Sequence, residues 1–194
     1  MGAGTNYHHG DLRAALLKAA EGILAERGSG ALTLRACARA AGVSHAAPAH
    51  HFGNLSGLLT ALVVAGVERL AGYQLRASAR AGDAAAKKRA AGLGYIRFAL
   101  EHPALFELIF RDARIDRRDP EYVAAVQSGG SLVRGLLASS GNADPDRAAV
   151  EWVRSWSLVH GFAVLASAGA LSAPGERRLD AKELLKLAAS VLGG

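Results

Sequence analysis

The chain has 194 residues, of which 51% are hydrophobic, and it carries a net charge of +6 at pH 7. This length suits one or two domains with a sizeable core, and the single cysteine, Cys37, excludes an internal disulfide. A positive charge is the sign that a nucleic-acid-binding protein needs. We find no run of alternating apolar residues, so the sequence predicts an all-α fold of about nine helices.

The first predicted helix runs from about residue 11 to residue 27 and ends at Gly28, a residue type that commonly terminates helices. Its apolar residues recur at helical spacing and form one stripe, which can cover two shorter helices. The stripe consists of Leu12, Leu16, Ala19, Ala20, Ile23 and Leu24. Before this helix, Tyr7, His8 and His9 form either an arm along a nucleic-acid backbone or a frayed tail.

Residues 33–52 have the pattern of a helix-turn-helix motif. Thr33 suits the N-cap of a first short helix, Gly42 can leave that helix at positive φ, and Ser44 can cap a second short helix. Pro48 is expected one turn inside the second helix, where it would loosen the start of that helix. The same pattern also occurs in an ordinary αα-corner, so the segment by itself leaves both interpretations open.

We predict that this motif faces DNA. Arg35 and Arg39 can flank a groove, while the hydroxyl groups of Thr33 and Ser44 can bond to phosphates. The second helix would present its side chains to base edges. These side chains are His45, Ala46, Ala47, Ala49, His50 and His51. Because alanine can only pack against thymine methyl groups, His45 and His50 are expected to supply most of the polar contacts to base edges.

Three segments carry a resemblance to a known family. Residues 7–59, YHHGDLRAALLKAAEGILAERGSGALTLRACARAAGVSHAAPAHHFGNLSGLL, resemble the N-terminal domain of tetracycline-repressor (TetR) family transcription regulators. The segments YIRFALEHPALFELIF and WSLVHGFAVL resemble a C-terminal ligand-binding subtype named for its Trp-His-Gly signature, here Trp156, His160 and Gly161. The resemblance implies an all-α homodimer that represses transcription and releases its operator when a small molecule fills a pocket in the larger domain.

The chain departs from the family pattern at two positions. The family usually has an aromatic residue where this chain has Ala49, and a lysine where it has Leu55, and both commonly contact phosphate. Phosphate contacts supply most of the salt-dependent affinity for DNA. The alternative to a repressor is therefore a small-molecule-binding dimer on the same scaffold, with weak or lost DNA binding.

We place a domain boundary after residue 54, with a helix-turn-helix DNA-binding domain at 1–54 and a helical ligand-binding and dimerisation domain at 55–194. Asn54 is a plausible N-cap for a long helix that reaches about residue 80 and belongs to both domains. Later helices are predicted to start at Pro103, Pro120, Pro145 and the capping box Asp180-x-x-Glu183. Gly129-Gly130 predicts a break or kink, and Gly141-Asn142 and Ala173-Pro174-Gly175 predict loops.

Aromatic residues in three segments of the second domain are the candidate lining of an effector pocket. They are Tyr95, Phe98, Phe106, Phe110, Trp152, Trp156 and His160. Trp152, Trp156 and His160 are spaced four apart and share one helix face. Bulky apolar walls with a few polar groups suit a planar or apolar effector, although seven large residues at helical spacing are more commonly a packed core. Both interpretations remain open at this point.

Self-association is predicted for the last two helices. The segment 156–171 is apolar nearly all round, which a helix packed between its own core and a partner requires. The candidate interface residues are Phe162, Leu165, Leu184, Leu187 and Val191. A four-helix interface and a two-fold dimer would follow.

Other functional classes lack support in the sequence. No CxxC, HExxH or clustered carboxylate accompanies the histidines, so we expect no metal and no other cofactor. An enzyme that used His160 with Glu151 or Asp112 would lack a nucleophile elbow or phosphate loop, so we expect no catalysis. The first residues form no apolar signal segment and no apolar run of membrane-spanning length is evident. We therefore expect a cytoplasmic homodimer that binds double-stranded operator DNA and a small-molecule effector.

Overall fold

The structure, a computed structural model, describes residues 9–138, 145–173 and 175–193. These residues form nine α-helices and one short 3₁₀ turn at Ser29–Ala31, without a strand, so the predicted all-α fold is confirmed. The helices are α1 (His9–Arg27), α2 (Leu34–Ala41), α3 (Ala47–Phe52), α4 (Leu55–Ser78), α5 (Ala84–Glu101), α6 (Pro103–Arg111), α7 (Pro120–Ala138), α8 (Pro145–Ser167) and α9 (Ala181–Gly193). The arm residues Tyr7 and His8, the loop Gly141-Asn142 and Pro174 lie outside the described residues.

The three N-terminal helices, α1 to α3, pack together as one unit, which we call the N-terminal unit. Helix α1 contacts both α2 and α3, and its predicted stripe supplies the buried side chains Leu16 and Leu24. Thr33 caps α2 as predicted, because its Oγ1 accepts a hydrogen bond of 3.0 Å from the backbone N–H of Ala36. Gly42 ends α2 at φ +68°, the left-handed conformation in which glycine is favoured.

The predicted start of the second motif helix is wrong. Residues 45 and 46 form a turn, α3 begins at Ala47, and its N-cap Ala46 makes no side-chain capping bond. Ser44 instead contributes its backbone carbonyl, which accepts from the N–H of Ala47 at 3.1 Å. Pro48 consequently lies in the first turn of α3, where a missing N–H leaves no helical bond unmade. It therefore does not loosen α3 in the way the sequence suggested.

Helix α4 forms the centre of the molecule. The backbone N–H of Gly57 donates to Asn54 Oδ1 at 3.0 Å, which confirms the predicted cap. Helix α4 contacts α1 and α3 as well as α5, α6 and α7, so it belongs to both parts of the chain. A domain boundary after residue 54 stays a prediction. By length and composition α4 could cross a membrane. However, 44% of its most apolar 18-residue stretch is buried inside the protein, and packing in a core explains the same composition.

The later helices begin where their local signals predict. Helices α6, α7 and α8 start at Pro103, Pro120 and Pro145. The capping box at α9 is complete, because the N–H of Glu183 donates to Asp180 Oδ1 at 2.9 Å and the N–H of Asp180 donates to Glu183 Oε2 at 2.8 Å.

The break predicted at Gly129-Gly130 is wrong, because α7 runs through both glycines as one helix. Each glycine costs roughly 1 kcal/mol of helix propensity. Packing compensates for this cost, since α7 lies along α4 and a Cβ built on Gly129 would lie 3.6 Å from Cγ1 of Val67. Tertiary contact with α4 therefore maintains a helix that the local sequence disfavours.

Candidate nucleic-acid interface and ligand site

The surface of the α2–α3 motif carries the side chains predicted to contact DNA. Most of them are exposed: Thr33, Arg35, Arg39, Ser44, His45, Ala46, Ala49 and His50. Ala47 and His51 are half-buried. The opposite side of the motif is buried, with Cys37 and Pro48 against the core. Burial of the Cys37 thiol raises its pKa, which is consistent with the small buried residue that its place in α2 requires.

The C-terminal end of α3 packs back onto the protein. The His51 ring lies 6.3 Å from the Phe52 ring, and the guanidinium of Arg13 on α1 lies 5.6 Å from the Phe52 ring centre. Arg13 also forms an ion pair of 3.2 Å with Glu121 on α7. Arg13 thus joins α1, α3 and α7, a role that no sequence pattern predicted. Among the histidines predicted to meet base edges, His45 in the turn and His50 in the last turn of α3 are therefore exposed, whereas His51 is half-buried.

Positive charge on this surface is sparse. No lysine or arginine occurs between Ala40 and Glu68, so Arg35 and Arg39 are the cations carried by the motif. Both are exposed, and neither makes an ion pair within the described part of the chain. Their guanidinium groups are therefore available to phosphate oxygens.

The structure joins six of the seven predicted pocket residues into one aromatic cluster. Its members are Tyr95, Phe106, Phe110, Trp152, Trp156 and His160, and neighbouring ring centres lie 4.7–6.4 Å apart. Within it the rings of Trp152, Trp156 and His160 stack along one face of α8, and we call these three residues the aromatic ladder. Successive ladder rings lie 5.5 Å and 5.3 Å apart, at interplanar angles of 12° and 26°.

Phe98 does not belong to this cluster. It is fully buried, and its ring packs 5.6 Å from Tyr73 on α4 and 5.3 Å from His102. The placement of Phe98 as a pocket residue is therefore corrected, because it faces α4 rather than α8. The Tyr73 hydroxyl donates to the Glu101 carboxylate, and this bond raises the pKa of Tyr73.

One hydrogen-bonded chain crosses the cluster. The Tyr95 hydroxyl lies 2.8 Å from His160 Nδ1, and it also hydrogen-bonds with the Trp156 side chain, whose indole N–H can only donate. Burial raises the pKa of Tyr95, and burial together with the positive charge of Arg111 lowers the pKa of His160. Both groups are therefore neutral near pH 7. In the arrangement where Tyr95 donates to Nδ1 of His160, the imidazole proton lies on Nε2.

The cluster is closed at one end and open at the other. Tyr95 and Phe106 are buried, whereas Trp156 is 40% exposed and Trp152, Phe110 and His160 are half-buried. The inner rings are thus part of the core, and the outer rings remain partly accessible to solvent. The inner rings fit the packed-core interpretation, and contact of the outer rings with an effector stays a prediction.

A separate cavity of about 300 Å³ lies between the N-terminal unit and α6. Its lining includes Leu24, Gly28 and Ser29 on one side and Glu107, Leu108, Arg111 and Asp112 on the other. Beside it, Arg114 binds the Asp112 carboxylate through Nε at 2.9 Å and donates from Nη2 to the Ser29 carbonyl at 3.2 Å. Arg114 lowers the pKa of Asp112. This cavity could not be predicted from the sequence, because its walls come from segments about 80 residues apart.

The predicted dimer-interface residues divide into two groups. Leu165 on α8 is 47% exposed, and Leu187 and Val191 on α9 are also exposed. Phe162 and Leu184 are 8% and 7% exposed, so they pack in the core of the protomer. Their prediction as interface residues is therefore corrected. Leu158 lies in the segment 156–171 predicted for self-association, and it is as exposed as Leu165. Among the described residues, no group of three or more His, Cys, Asp or Glu side chains is placed to hold a metal ion.

Comparisons with known proteins agree on the fold and the family. The model of bacterial regulatory proteins of the tetR family matches residues 16–62, and a tetracyclin repressor-like C-terminal domain model matches residues 88–191. No curated protein matches the chain.

Solved structures show the same architecture over nearly the whole chain. A protein of unknown function from a Rhodococcus species is 33% identical, with 97% of this chain and 96% of that chain covered and a TM-score of 0.78. The TetR family transcriptional regulator PfmR from Thermus thermophilus is 17% identical, with coverages of 92% and 97% and a TM-score of 0.64. A TetR/AcrR family regulator from Thermobifida fusca is 21% identical, with coverages of 95% and 98% and a TM-score of 0.67.

The two family models lie in the expected order, and the C-terminal model alone spans more than half of the chain. The N-terminal model covers the helix-turn-helix motif, and the C-terminal model covers the aromatic cluster and the exposed faces of α8 and α9. The chain therefore belongs to the TetR family of bacterial transcription regulators.

Proposed function

We propose that this protein is a homodimeric repressor that binds a near-palindromic operator and releases it when a small, largely apolar or aromatic effector binds. One observation supports the proposal most directly. The α2–α3 motif leaves Arg35, Arg39 and His50 exposed, on a unit that packs against helices carrying an accessible aromatic cluster. Binding to bacterial DNA would place its action in the cytoplasm, and the proposal needs no cofactor and no catalytic step.

The proposed dimer interface is the apolar face shared by α8 and α9. Leu158, Gly161 and Leu165 are spaced three and four residues apart, so they lie along one side of α8. Both leucines are 47% exposed, and a Cβ built on Gly161 would meet nothing within 4 Å, which leaves room for a close helix crossing. Leu187 and Val191 provide a matching exposed pair on α9. A two-fold axis would bury these side chains in a four-helix contact.

A two-fold dimer also gives the motif its function. It presents two copies of α3 on one side of the assembly, and a spacing of roughly 34 Å would fit them into successive major grooves. Arg35, Arg39 and the Thr33 and Ser44 hydroxyls would contact phosphates, whereas His45, Ala46, Ala47, Ala49, His50 and the half-buried His51 would lie towards base edges.

The effector would act through helices that contact both parts of the chain. Helix α4 contacts α1 and α3 as well as α5, α6 and α7. A ligand at Trp156 and His160 could fit one packing arrangement of helices α4 through α8 better than another. It would then change the spacing between the α3 helices of the two protomers. Release of DNA then follows from the differential affinity of the ligand for the two arrangements.

A second function, a small-molecule-binding dimer with weak DNA binding, is favoured by the charge distribution. Residues 1–60 contain five basic and three acidic residues, and Ala49 in α3 and Leu55 at the start of α4 stand where the family pattern usually has phosphate-contacting residues. A short α3 without a cation makes operator affinity depend on few phosphate contacts.

A gel-shift salt series with duplex DNA from upstream of its own gene separates the two functions. A repressor binds this DNA more tightly than a random duplex of equal length. The double variant Arg35→Ala with Arg39→Ala should lower the slope of log affinity against log salt by about 3–4 for the dimer, because four guanidinium groups are removed. The control Arg89→Ala, on α5, should leave the slope unchanged.

Equal binding of the upstream DNA and the random duplex at every salt concentration would contradict the repressor and support the ligand-binding protein. An unchanged salt slope in the double variant would show that the α2–α3 surface does not carry the DNA contacts.

A further inference from the structure

We propose that the cavity between the N-terminal unit and α6 is a second ligand site, which binds a small α-amino acid with an apolar side chain through its ammonium and carboxylate groups. The cavity shares no lining residue with the aromatic cluster, so the inference goes beyond the proposed function. It is carried by the shape of the cavity walls, by two unpaired charges of opposite sign and by the position of the cavity between the two parts of the chain.

One wall of the cavity is a single face of α6, on which apolar and charged residues lie side by side. Ala104, Glu107, Leu108 and Arg111 are spaced three and four residues apart, so their side chains share this face. Leu108 is buried and Ala104 is half-buried, whereas Glu107 and Arg111 are exposed. The wall is therefore apolar towards the protein interior and charged towards solvent, which suits a ligand with one apolar end and one charged end.

The opposite wall, at the end of α1, leaves the space open. It includes the buried Leu24, together with Gly28 and Ser29. Gly28 has φ +75°, and a Cβ built on it would meet nothing within 4 Å, so no side chain from this position fills the cavity. The volume of about 300 Å³ is at the small end of the range for ligand pockets. The size therefore favours a small molecule.

Glu107 and Arg111 are charges of the cavity lining that have no partner. Their spacing of four residues commonly gives an ion pair on a helix, yet neither side chain forms an ion pair or a hydrogen bond within the described residues. Asp112, the third charged residue of the lining, is already bound by Arg114 through Nε at 2.9 Å and through Nη2 at 2.5 Å. Within the described chain, the cavity thus offers one guanidinium and one carboxylate to a ligand.

Two opposite charges on one wall select a zwitterion. A ligand with only a carboxylate would be attracted by Arg111 and repelled by Glu107, and a ligand with only an ammonium group would have the reverse balance. An α-amino acid carries both groups on one carbon atom, so it can bind both side chains together. Its own side chain can then lie against Leu24 and Leu108, the buried apolar residues of the lining.

The position of the cavity makes the ligand a bridge between the two parts of the chain. Ser29 follows α1 on one side, and Arg111 ends α6 on the other. Beside the cavity a single direct bond already joins the two sides, from Arg114 Nη2 to the Ser29 carbonyl at 3.2 Å. A bound amino acid would contact both walls and would therefore stabilise this arrangement of the N-terminal unit against α6.

Calorimetry with three probes of similar shape tests the proposal at about pH 6, where an α-amino group is protonated. The probes are leucine, leucinamide, whose carboxylate is neutralised, and the α-hydroxy acid analogue of leucine, whose ammonium group is replaced by a hydroxyl. Leucine should bind at least about fivefold more tightly than either derivative, because each derivative loses one partly exposed ion pair and keeps one repulsion. Leucine should also raise the melting temperature, because it binds the folded state.

Matched variants on α6 assign each charge of the ligand to one side chain. Arg111→Gln should remove the preference for leucine over leucinamide and retain the preference over the hydroxy acid. Glu107→Gln should have the converse effect. The control Arg89→Gln, at an exposed position on α5, should match the wild type.

Three further variants locate the binding site. Ala113→Phe introduces a bulky ring at an exposed position of the lining and should weaken leucine binding. Ala85→Phe, at an exposed position on α5, should leave leucine binding unchanged. Trp156→Ala removes a ring of the aromatic cluster and should also leave leucine binding unchanged, because the cluster lies outside the cavity.

Equal binding of leucine and both derivatives, or absence of leucine binding at millimolar concentrations, would overturn the inference. Loss of leucine binding in Trp156→Ala would overturn it as well, because the ligand would then occupy the aromatic cluster. Gel shifts with the unliganded protein test the repressor separately, so failure of the amino-acid site and failure of the proposed function give different results.

Discussion

Two glycines of this protein, Gly42 and Gly22, differ in backbone conformation, and alanine at the two positions should therefore have opposite effects on stability. Gly42 sits at φ +68° where α2 ends, and its backbone N–H bonds to the carbonyls of Ala38 and Arg39. Gly22 lies inside α1 without a positive φ. A Cβ would meet nothing within 4 Å at either position, so sterics with neighbours do not distinguish them. The backbone conformation does, because the left-handed region disfavours every residue with a Cβ.

We predict that Gly42→Ala lowers the free energy of unfolding by roughly 1–2 kcal/mol, the cost of the left-handed conformation for alanine. The same strain should weaken operator binding, since Gly42 sets the angle between α2 and α3. Urea denaturation and the gel shift measure the two effects.

Gly22→Ala is the matched control, and it should raise the free energy of unfolding by about 0.5–1 kcal/mol because alanine is the better helix former. Similar changes at both positions would contradict the conformational argument.

At the scale of elements, the contact between α1 and α4 depends on a bidentate ion pair. Arg69 on α4 donates to Glu21 on α1 through both terminal nitrogens, and the Nη2 to Oε2 distance is 2.8 Å. The Arg69 guanidinium holds the pKa of Glu21 below its ordinary value of 4.5, against the opposing effect of burial. This pair fixes the N-terminal unit to the helix that both parts of the chain share.

The lowered pKa of Glu21 determines the direction in which the stability of the fold changes with pH. A carboxylate whose pKa is depressed in the folded state stabilises the fold above the unfolded pKa, and this stabilisation is lost as pH falls through the folded pKa. Glu21→Gln should therefore lower the free energy of unfolding near pH 7 by up to about 1 kcal/mol, a small value because both side chains are about one-third exposed.

Denaturation measured from about pH 7 to pH 3 tests this prediction. The difference between wild type and Glu21→Gln should shrink as the pH falls below about 4.5. The control Glu26→Gln, an exposed position in the last turn of α1, should show no such change. A difference that stays constant across the range would show that the ion pair does not stabilise the α1–α4 contact.

At the scale of the whole molecule, the exposed apolar residues of α8 and α9 support the proposed two-fold dimer. Leu158, Leu165, Leu187 and Val191 are each at least 40% exposed in the protomer, whereas Phe162 and Leu184 on the same two helices are buried. A protomer gains little from a row of exposed leucines, but a two-fold partner would remove them from water.

If the proposed dimer forms through this face, Leu165→Glu should be monomeric in analytical ultracentrifugation, because a two-fold interface would bury two uncompensated carboxylates. Operator binding should fall with it. Far-UV circular dichroism establishes whether the monomer remains helical.

The control Leu75→Glu lies at an equally exposed leucine, 46% accessible, near the end of α4, and it should remain dimeric. A dimeric Leu165→Glu variant would exclude this face as the interface.

The local signals of the sequence determined where most helices begin and end. The caps Thr33 and Asn54, the capping box at Asp180 and the prolines that open α6, α7 and α8 depend on side chains and backbone groups within four residues. The start of α3 was misplaced because Ser44 has the residue type of a cap while its carbonyl is used by a turn. Family membership also followed from the sequence, since the motifs occur in order along the chain.

Only the tertiary structure decided which neighbour covers each helix face. Helical spacing places residues on a common side, but it does not state whether that side meets a core, a partner or solvent. For this reason Phe98 turned out to face α4, Phe162 and Leu184 proved to be core residues, and Gly129-Gly130 remained helical against α4. The same reason explains why the cavity beside Arg111, with walls from segments far apart in the chain, emerged only from the packing of α6 against the N-terminal unit.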